Sequence, residues 1–351
     1  MNRPDSARPI ASLNGHLENF MDRRSFLKAS LAGTAALAGG ASRAFADTAS
    51  SSAPADVPSL AGKTIAISIV GTDHFFDLKA YQAQVSEVER LGGKVIGLDA
   101  ARNDQKLVSQ LQTLVTQKPD AVIQTLGALP IVDPGLKKLR EAGIPVFTVD
   151  VVSENSINNS TSDNFSLGAQ LGLQLASDLG GKGNIALFTA IEGVVPCEIR
   201  LEQLREVLKH YPDIKVIQPD LREIVPNTIQ DSFQKVTALL AQHPEGQISA
   251  IWASWDIPVL GATQALLAAG RKDVLTYGVD GTPEYLALVA DPAAPAGAVA
   301  VQQPELIGRT AVWNVARYLA GQKVPGTSFV PAILANKQNA REVQKLVGQA
   351  G

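Results

Sequence analysis

The sequence predicts an α/β protein of two similar lobes, each a parallel-rich sheet with helices on both faces. Three observations carry this. Short β-branched runs alternate with amphipathic helical runs along most of the chain. The strand runs are continuously apolar instead of alternating, as strands covered on both faces are. The alternation also restarts at about Leu167, which breaks one long sheet into two units.

In the first series Thr64–Val70 reads as a strand and Asp77–Leu91 as a helix. Lys94–Leu98, helix Asp104–Gln117, strand Ala121–Thr125, helix Pro134–Ala142 and strand Pro145–Val149 follow. The second series runs through helix Leu167–Leu179, strand Ile185–Thr189, helix Ile199–His210, strand Ile214–Gln218 and helix Asn227–Ala241. It closes with strand Ala250–Ala253, helix Val259–Ala269, strand Val274–Val279 and a short helix at Thr282–Val289. A strand at Gly297–Val301, a helix from Pro304 to Ala320 and a strand at Phe329–Ile333 complete the chain. The stretch Thr161–Asn164 is a natural crossing between lobes, and Gly180–Gly183 is a turn, not a phosphate loop.

The first 46 of 351 residues read as a processing segment. Arg23-Arg24-Ser25-Phe26-Leu27-Lys28 precedes a weak apolar stretch, and Ala44-Phe45-Ala46 offers small residues for cleavage after Ala46. This order resembles a twin-arginine signal peptide. Its apolar part is too short and interrupted for a membrane span. Residues 47–61, rich in Ser, Ala and Pro, read as a flexible lead-in.

Residues 1–46 hold six of the 31 Lys/Arg and three of the 34 Asp/Glu, which leaves 25 basic and 31 acidic residues and a net charge of −6. An acidic body argues against a nucleic-acid partner. The one cysteine, Cys197, forms no internal disulfide, so packing must supply stability. The remaining 305 residues suffice for two domains.

Ligands of such sheets gather beyond the carboxyl ends of the strands. That rule selects Asp73, His74, Phe75 and Phe76 after the first strand, Asp150 after Val149, and the segment up to Arg200 in the second unit. It also selects Trp255-Asp256, Asp280 and Gln302. Phe75 and Phe76 are candidates for stacking on a sugar face or for plain core packing. Asp73 and Asp256 either accept hydroxyl hydrogen bonds or cap the helices behind them. Trp255 beside Asp256 makes an apolar platform next to an acceptor, whereas Trp252 reads as core. Asp150 and Asp280 are ligand acceptors or turn formers, and Gln302 offers both donor and acceptor. Arg200 lies near a helix start, where its charge is unfavourable. Either a ligand contact or a salt bridge to Glu198 or Glu202 would account for it. No histidine pair has metal-ligand spacing, and no base stands near Cys197, so neither a metal, a cofactor nor catalysis is expected.

From about Thr64 to Gln338 the chain resembles the ribose/galactose type of periplasmic sugar-binding proteins of ABC importers. Asp73-His74-Phe75-Phe76 is similar to that family's Asn-Pro-Phe-Phe segment, Asp150 to its Asp after Pro-Val-x-x, and Arg200 to its lobe-two Arg. Gly278-Val279-Asp280-Gly281 and Gln302-Gln303-Pro304 match further polar contacts. The resemblance implies the type I periplasmic binding fold, two Rossmann-like lobes joined by a three-strand hinge that close over one solute. It implies lobe one at 62–163 plus 303–326 and lobe two at 164–302 plus 327–351. It further implies a monomer in the periplasm, a permease partner and, as a further partner, a chemoreceptor.

Three departures point away from ribose. Trp255-Asp256 stands where the family has Asn-Asp, Val151 where many members have Arg, and Asp73-His74 where it has Asn-Pro. Four acids around one obvious cation disfavour an anionic solute. The expected ligand is a small neutral sugar, deoxy sugar or polyol. Two other functions share the fold: a sensor subunit for a receptor, including one for autoinducer-2-like ligands, and a sugar-processing enzyme.

Overall fold

The computed structural model describes residue 54 and residues 56–189 and 192–349. The paired arginines Arg23-Arg24 and the cleavage line Ala44–Ala46 lie outside the described residues, as does most of the lead-in.

The first lobe opens with β1 (Thr64–Ile69), α1 (Phe75–Arg90), β2 (Lys94–Asp99), α2 (Asp104–Gln117), β3 (Ala121–Thr125), α3 (Leu129–Glu141), β4 (Val146–Val149) and β5 (Asn158–Ser162). The second comprises α4 (Asn164–Asp178), β6 (Lys182–Thr189), α5 (Val195–Leu208), β7 (Asp213–Val216), β8 (Leu221–Arg222), α6 (Thr228–Gln242), β9 (Ala250–Ala253), α7 (Asp256–Ala268), β10 (Leu275–Asp280), α8 (Pro283–Ala290) and β11 (Ala296–Val301). The chain then returns as α9 (Pro304–Leu319) and β12 (Thr327–Val330) before β13 (Ile333–Asn336) and α10 (Ala340–Gln349).

Two sheets result, as the apolar runs require. The first has the order β12-β5-β4-β3-β1-β2, and the second β13-β11-β10-β9-β6-β7 with β8 also on β6. All pairings are parallel except β11 with β13. Helix starts follow local chemistry. Asn103 caps α2 by accepting from the Lys106 N–H at 2.8 Å, and Asp163 caps α4 by accepting from the Ser166 N–H at 3.1 Å. Pro130 lies in the first turn of α3, where its missing N–H costs nothing, so this helix begins five residues before the expected Pro134.

The chain crosses between lobes at Asp163, at Gln302-Gln303 and at Pro331-Ala332. The third crossing corrects the expected boundary at residue 327. Pro331 divides the expected strand Phe329–Ile333, so Thr327–Val330 pairs with β5 on the first sheet and only Ile333–Asn336 reaches the second. The Gln303 side-chain amide donates to the Pro331 carbonyl at 2.8 Å, tying two crossings together.

β5, Asn158-Asn159-Ser160-Thr161-Ser162, is buried throughout despite its polarity. Asn158 donates to the Pro325 carbonyl and to the Ser328 hydroxyl, and accepts from Asn314. A polar strand is tolerated inside because its side chains satisfy one another. Apolar packing forms four clusters, one on each face of each sheet. Ile65, Phe147 and Val312 typify one, Leu107 and Leu136 another, both in lobe one. Phe188 with Tyr285, and Trp252 with Tyr277, mark the two in lobe two. Trp252 is core, as its sequence position suggested.

Candidate functional site

A cavity of about 280 Å³ lies between the lobes at the carboxyl ends of both sheets. Lobe one contributes Phe75 and Phe76 from the start of α1, Leu126 and Ala128 after β3, and Asp150 after β4. Lobe two contributes Cys197 and Arg200 from α5, Glu223 after β8, Trp255 after β9, Asp280 at the end of β10 and Gln302 after β11. Asp150 and Asp280 hold φ of 56° and 120°, and Leu126 one of 56°. Such backbone is costly for non-glycine residues and is retained where it aims a side chain.

One buried polar network runs through this cavity. Asp150 accepts from the Thr161 hydroxyl, which in turn accepts from the Asn164 amide at 3.0 Å. The Asn164 carbonyl accepts from Nε of Arg200 at 2.7 Å, and Nη1 of Arg200 donates to the Ser254 carbonyl at 2.9 Å. Nη1 also lies 3.7 Å from Asp280, which accepts from the Gln302 amide at 2.6 Å. Arg200 is therefore placed by lobe-two groups and by the first crossing. Its salt-bridge partner is Asp280 and not Glu198, whose carboxylate takes the Gly193 N–H. Gly168 lets α4 approach α5 here, since a Cβ on it would lie 2.7 Å from the Arg200 carbonyl oxygen.

The acids are shifted towards their neutral forms. Burial pushes the Asp150 carboxyl up, with Arg200 pulling the other way. Asp280 is pushed well up by burial and by the negative neighbour Asp256, again against Arg200. Glu223 rises to about 8 through burial. A neutral carboxyl both donates and accepts hydrogen bonds, which suits a hydroxyl partner.

Of the nine expected site residues, Phe75, Phe76, Asp150, Arg200, Trp255, Asp280 and Gln302 line the cavity. Phe76 lines the cavity and also packs into the lobe-one core, in keeping with its core-packing reading. Two do not line it. Asp73 is exposed and accepts from Nε of Arg102 at 2.7 Å, because α1 starts at Phe75 and leaves Asp73 outside the first turn. Asp256 is fully buried and accepts from the Gly281 N–H, the Thr282 N–H and the Thr282 hydroxyl, so it pins the loop that carries Asp280.

His74, which lies in the segment after the first strand, also lines the cavity, and so do Asp77, Arg102 and Glu223, which the sequence does not point to. Asp73, His74 and Asp77 come close enough together to suggest a metal centre. The Arg102 guanidinium already fills that place, donating to Asp73, to Nδ1 of His74 at 2.6 Å and to Asp77. Burial raises Asp77 to about 7 against the pull of Arg102. Burial, with the Arg102 charge, lowers His74 to about 4 and keeps its ring neutral. That ring meets Trp255 of the other lobe edge to face, with centroids 4.9 Å apart. A second link joins the lobes where the Leu129 N–H donates to the Gly193 carbonyl at 2.9 Å.

Residues 65–323 match the family described as periplasmic binding protein domain. A solved ABC transporter solute binding protein from Agrobacterium vitis, with bound allitol, is 59% identical, with a TM-score of 0.81 over 82% of this chain and 99% of that one. An ABC sugar transporter subunit from Rhodobacter sphaeroides is 57% identical, with a TM-score of 0.79 over 80% of this chain and 100% of that one. The ribose import binding protein of Escherichia coli is 27% identical over 291 residues, 82% of this chain and 95% of the relative. The two-lobed fold, the interlobe cavity and these likenesses agree: the chain belongs to the periplasmic binding protein family, among the sugar- and polyol-binding proteins of ABC transporters, and is a binding protein, not an enzyme.

Proposed function

We propose that this protein captures a neutral linear polyol of the hexitol class in the periplasm, as a monomer whose lobes close over the solute, and delivers it to the permease of an ABC importer. The observation that carries this reading is the allitol held by the Agrobacterium vitis protein, 59% identical across nearly its whole length. The cavity chemistry supports it. Asp150, Asp280 and Glu223 are all biased towards neutral carboxyls, and Gln302 adds an amide. Asp280 opposes the Arg200 charge, and Nε and Nη1 are taken by Asn164 and Ser254, which weakens its pull on an anion and leaves much to satisfy hydroxyls. Phe75, Phe76 and Trp255 supply apolar surface for the carbon chain.

Titration calorimetry of the mature chain with allitol, other hexitols, ribose, galactose and a sugar acid tests this. A hexitol is expected to bind at least about tenfold tighter than ribose, a difference of about 1.4 kcal/mol. Tighter binding of ribose or of the acid overturns the reading. Export by the twin-arginine route rests on Arg23-Arg24 and the Ala44–Ala46 line. The double variant R23K/R24K is expected to leave precursor in the cytoplasm, and normal periplasmic protein from it would refute the route.

A further inference from the structure

Glu223 follows β8, a two-residue strand that pairs with β6. The residue is 9% exposed yet lines the cavity. Oε1 accepts from the Trp255 indole N–H at 2.6 Å. Oε2 is buried and has no hydrogen-bond partner among the described residues. A buried polar oxygen without a partner is rare in folded proteins, and at a cavity wall it marks a place for a ligand group.

We propose that Glu223 is a ligand-binding residue of the cavity, holding the Trp255 indole through Oε1 while Oε2 hydrogen-bonds a hydroxyl of the solute. This rests on the polyol reading above. The surroundings favour a neutral partner over a cation. Burial raises the Glu223 pKa to about 8, so the group is a carboxylic acid at neutral pH, able to donate as well as accept. Of the charged groups nearby, Lys235 on α6 is taken by Asp231 and the Arg222 carbonyl, and Asp231 opposes it in sign. On α5, burial holds the Cys197 thiol neutral, pushed up to about 12, and Arg200 directs Nε to Asn164 and Nη1 to Ser254 and Asp280. On α7, Asp256 is buried against Gly281 and Thr282.

A solute that covers Glu223 removes its remaining water and raises its pKa further, so binding takes up a proton once the free group has ionised. Affinity for the solute should therefore fall as pH rises above about 8.

The test is calorimetry with allitol on the wild type, Glu223→Gln and Glu223→Leu, from about pH 6.5 to 9.5. Circular dichroism checks that each variant is folded. Glu223→Leu is expected to bind at least about tenfold more weakly. Glu223→Gln, which keeps a neutral donor and acceptor, is expected to recover affinity relative to Glu223→Leu and to lose the decline above pH 8. A purely structural role for Glu223 moves stability but not the pH profile of binding. Wild-type affinity and pH profile in both folded variants overturn the contact while the polyol reading stands. A wild-type protein that binds no hexitol overturns the polyol reading and this contact together.

Discussion

Asn164, the first residue after the Asp163 crossing, accepts from Arg200 through its carbonyl and donates to Thr161 through its amide. One side chain at the hinge thus joins the lobe-two cation to the lobe-one acid Asp150. Removing it leaves Arg200 buried with one donor unpaired, a loss of about 1.5–3 kcal/mol for a charged hydrogen bond. Asn164→Ala should weaken binding about tenfold or more and lower the melting temperature. Calorimetry and thermal unfolding check both. Unchanged affinity would detach the hinge from the site.

Arg200→Ala is expected to do more, because it also strands the Ser254 carbonyl and removes the cation that faces Asp280. Affinity should fall by at least about tenfold in a chain that still folds. Trp255→Ala should also reduce affinity by exposing the apolar wall and breaking the contact with His74. Wild-type affinity in either folded variant removes that residue from recognition.

Gly193 meets lobe one at close range. It has φ of 86°, and a Cβ there would lie 2.9 Å from Cδ of Pro130. Gly193→Ala should therefore oppose contact between the lobes while sparing each lobe's core. The expected result is faster solute release, measured by stopped flow, with little change in association. Equal release rates would show that the rims need not touch.

Stability should depend on pH in an unusual direction. Asp77 and Asp256 are raised to about 7 and Glu223 to about 8, all chiefly by burial. A carboxyl whose folded pKa exceeds its unfolded one contributes stability that is full below about pH 4 and is lost as pH rises through the folded value. His74, lowered to about 4, works oppositely between about 4 and 6.5. Three raised acids outweigh one histidine, so the ligand-free protein should melt at a lower temperature at about pH 8.5 than at about pH 6. Asp77→Asn should flatten the profile. A melting temperature that rises with pH over this range would contradict the assignment.

What the chain discloses before folding depends on where the information resides. Continuous apolar runs such as Val146–Val149 announce buried parallel strands, because only burial on both faces calls for them. β5 is invisible to that logic: its five polar residues are paid for by Asn314, Ser328 and Pro325, all more than 150 positions away from Asn158. Glu223 is hidden for a similar reason, since two residues become a strand only by pairing with β6. Asp73 and Asp77 exchange expected places because α1 begins two residues early. At about 100° per residue that turns a different carboxyl inward.

The four apolar clusters each stop within one lobe. Between the lobes, polar strands, three short crossings and a few rim contacts carry the connection. In calorimetry the molecule should then behave as two weakly linked melting units, each with its own core. A solute in the cavity touches both and adds its binding free energy to the state in which both are folded. Occupancy should thus do more than raise the transition temperature: it should merge two overlapping transitions into one. The width of the melting curve becomes a gauge of whether the cavity is filled.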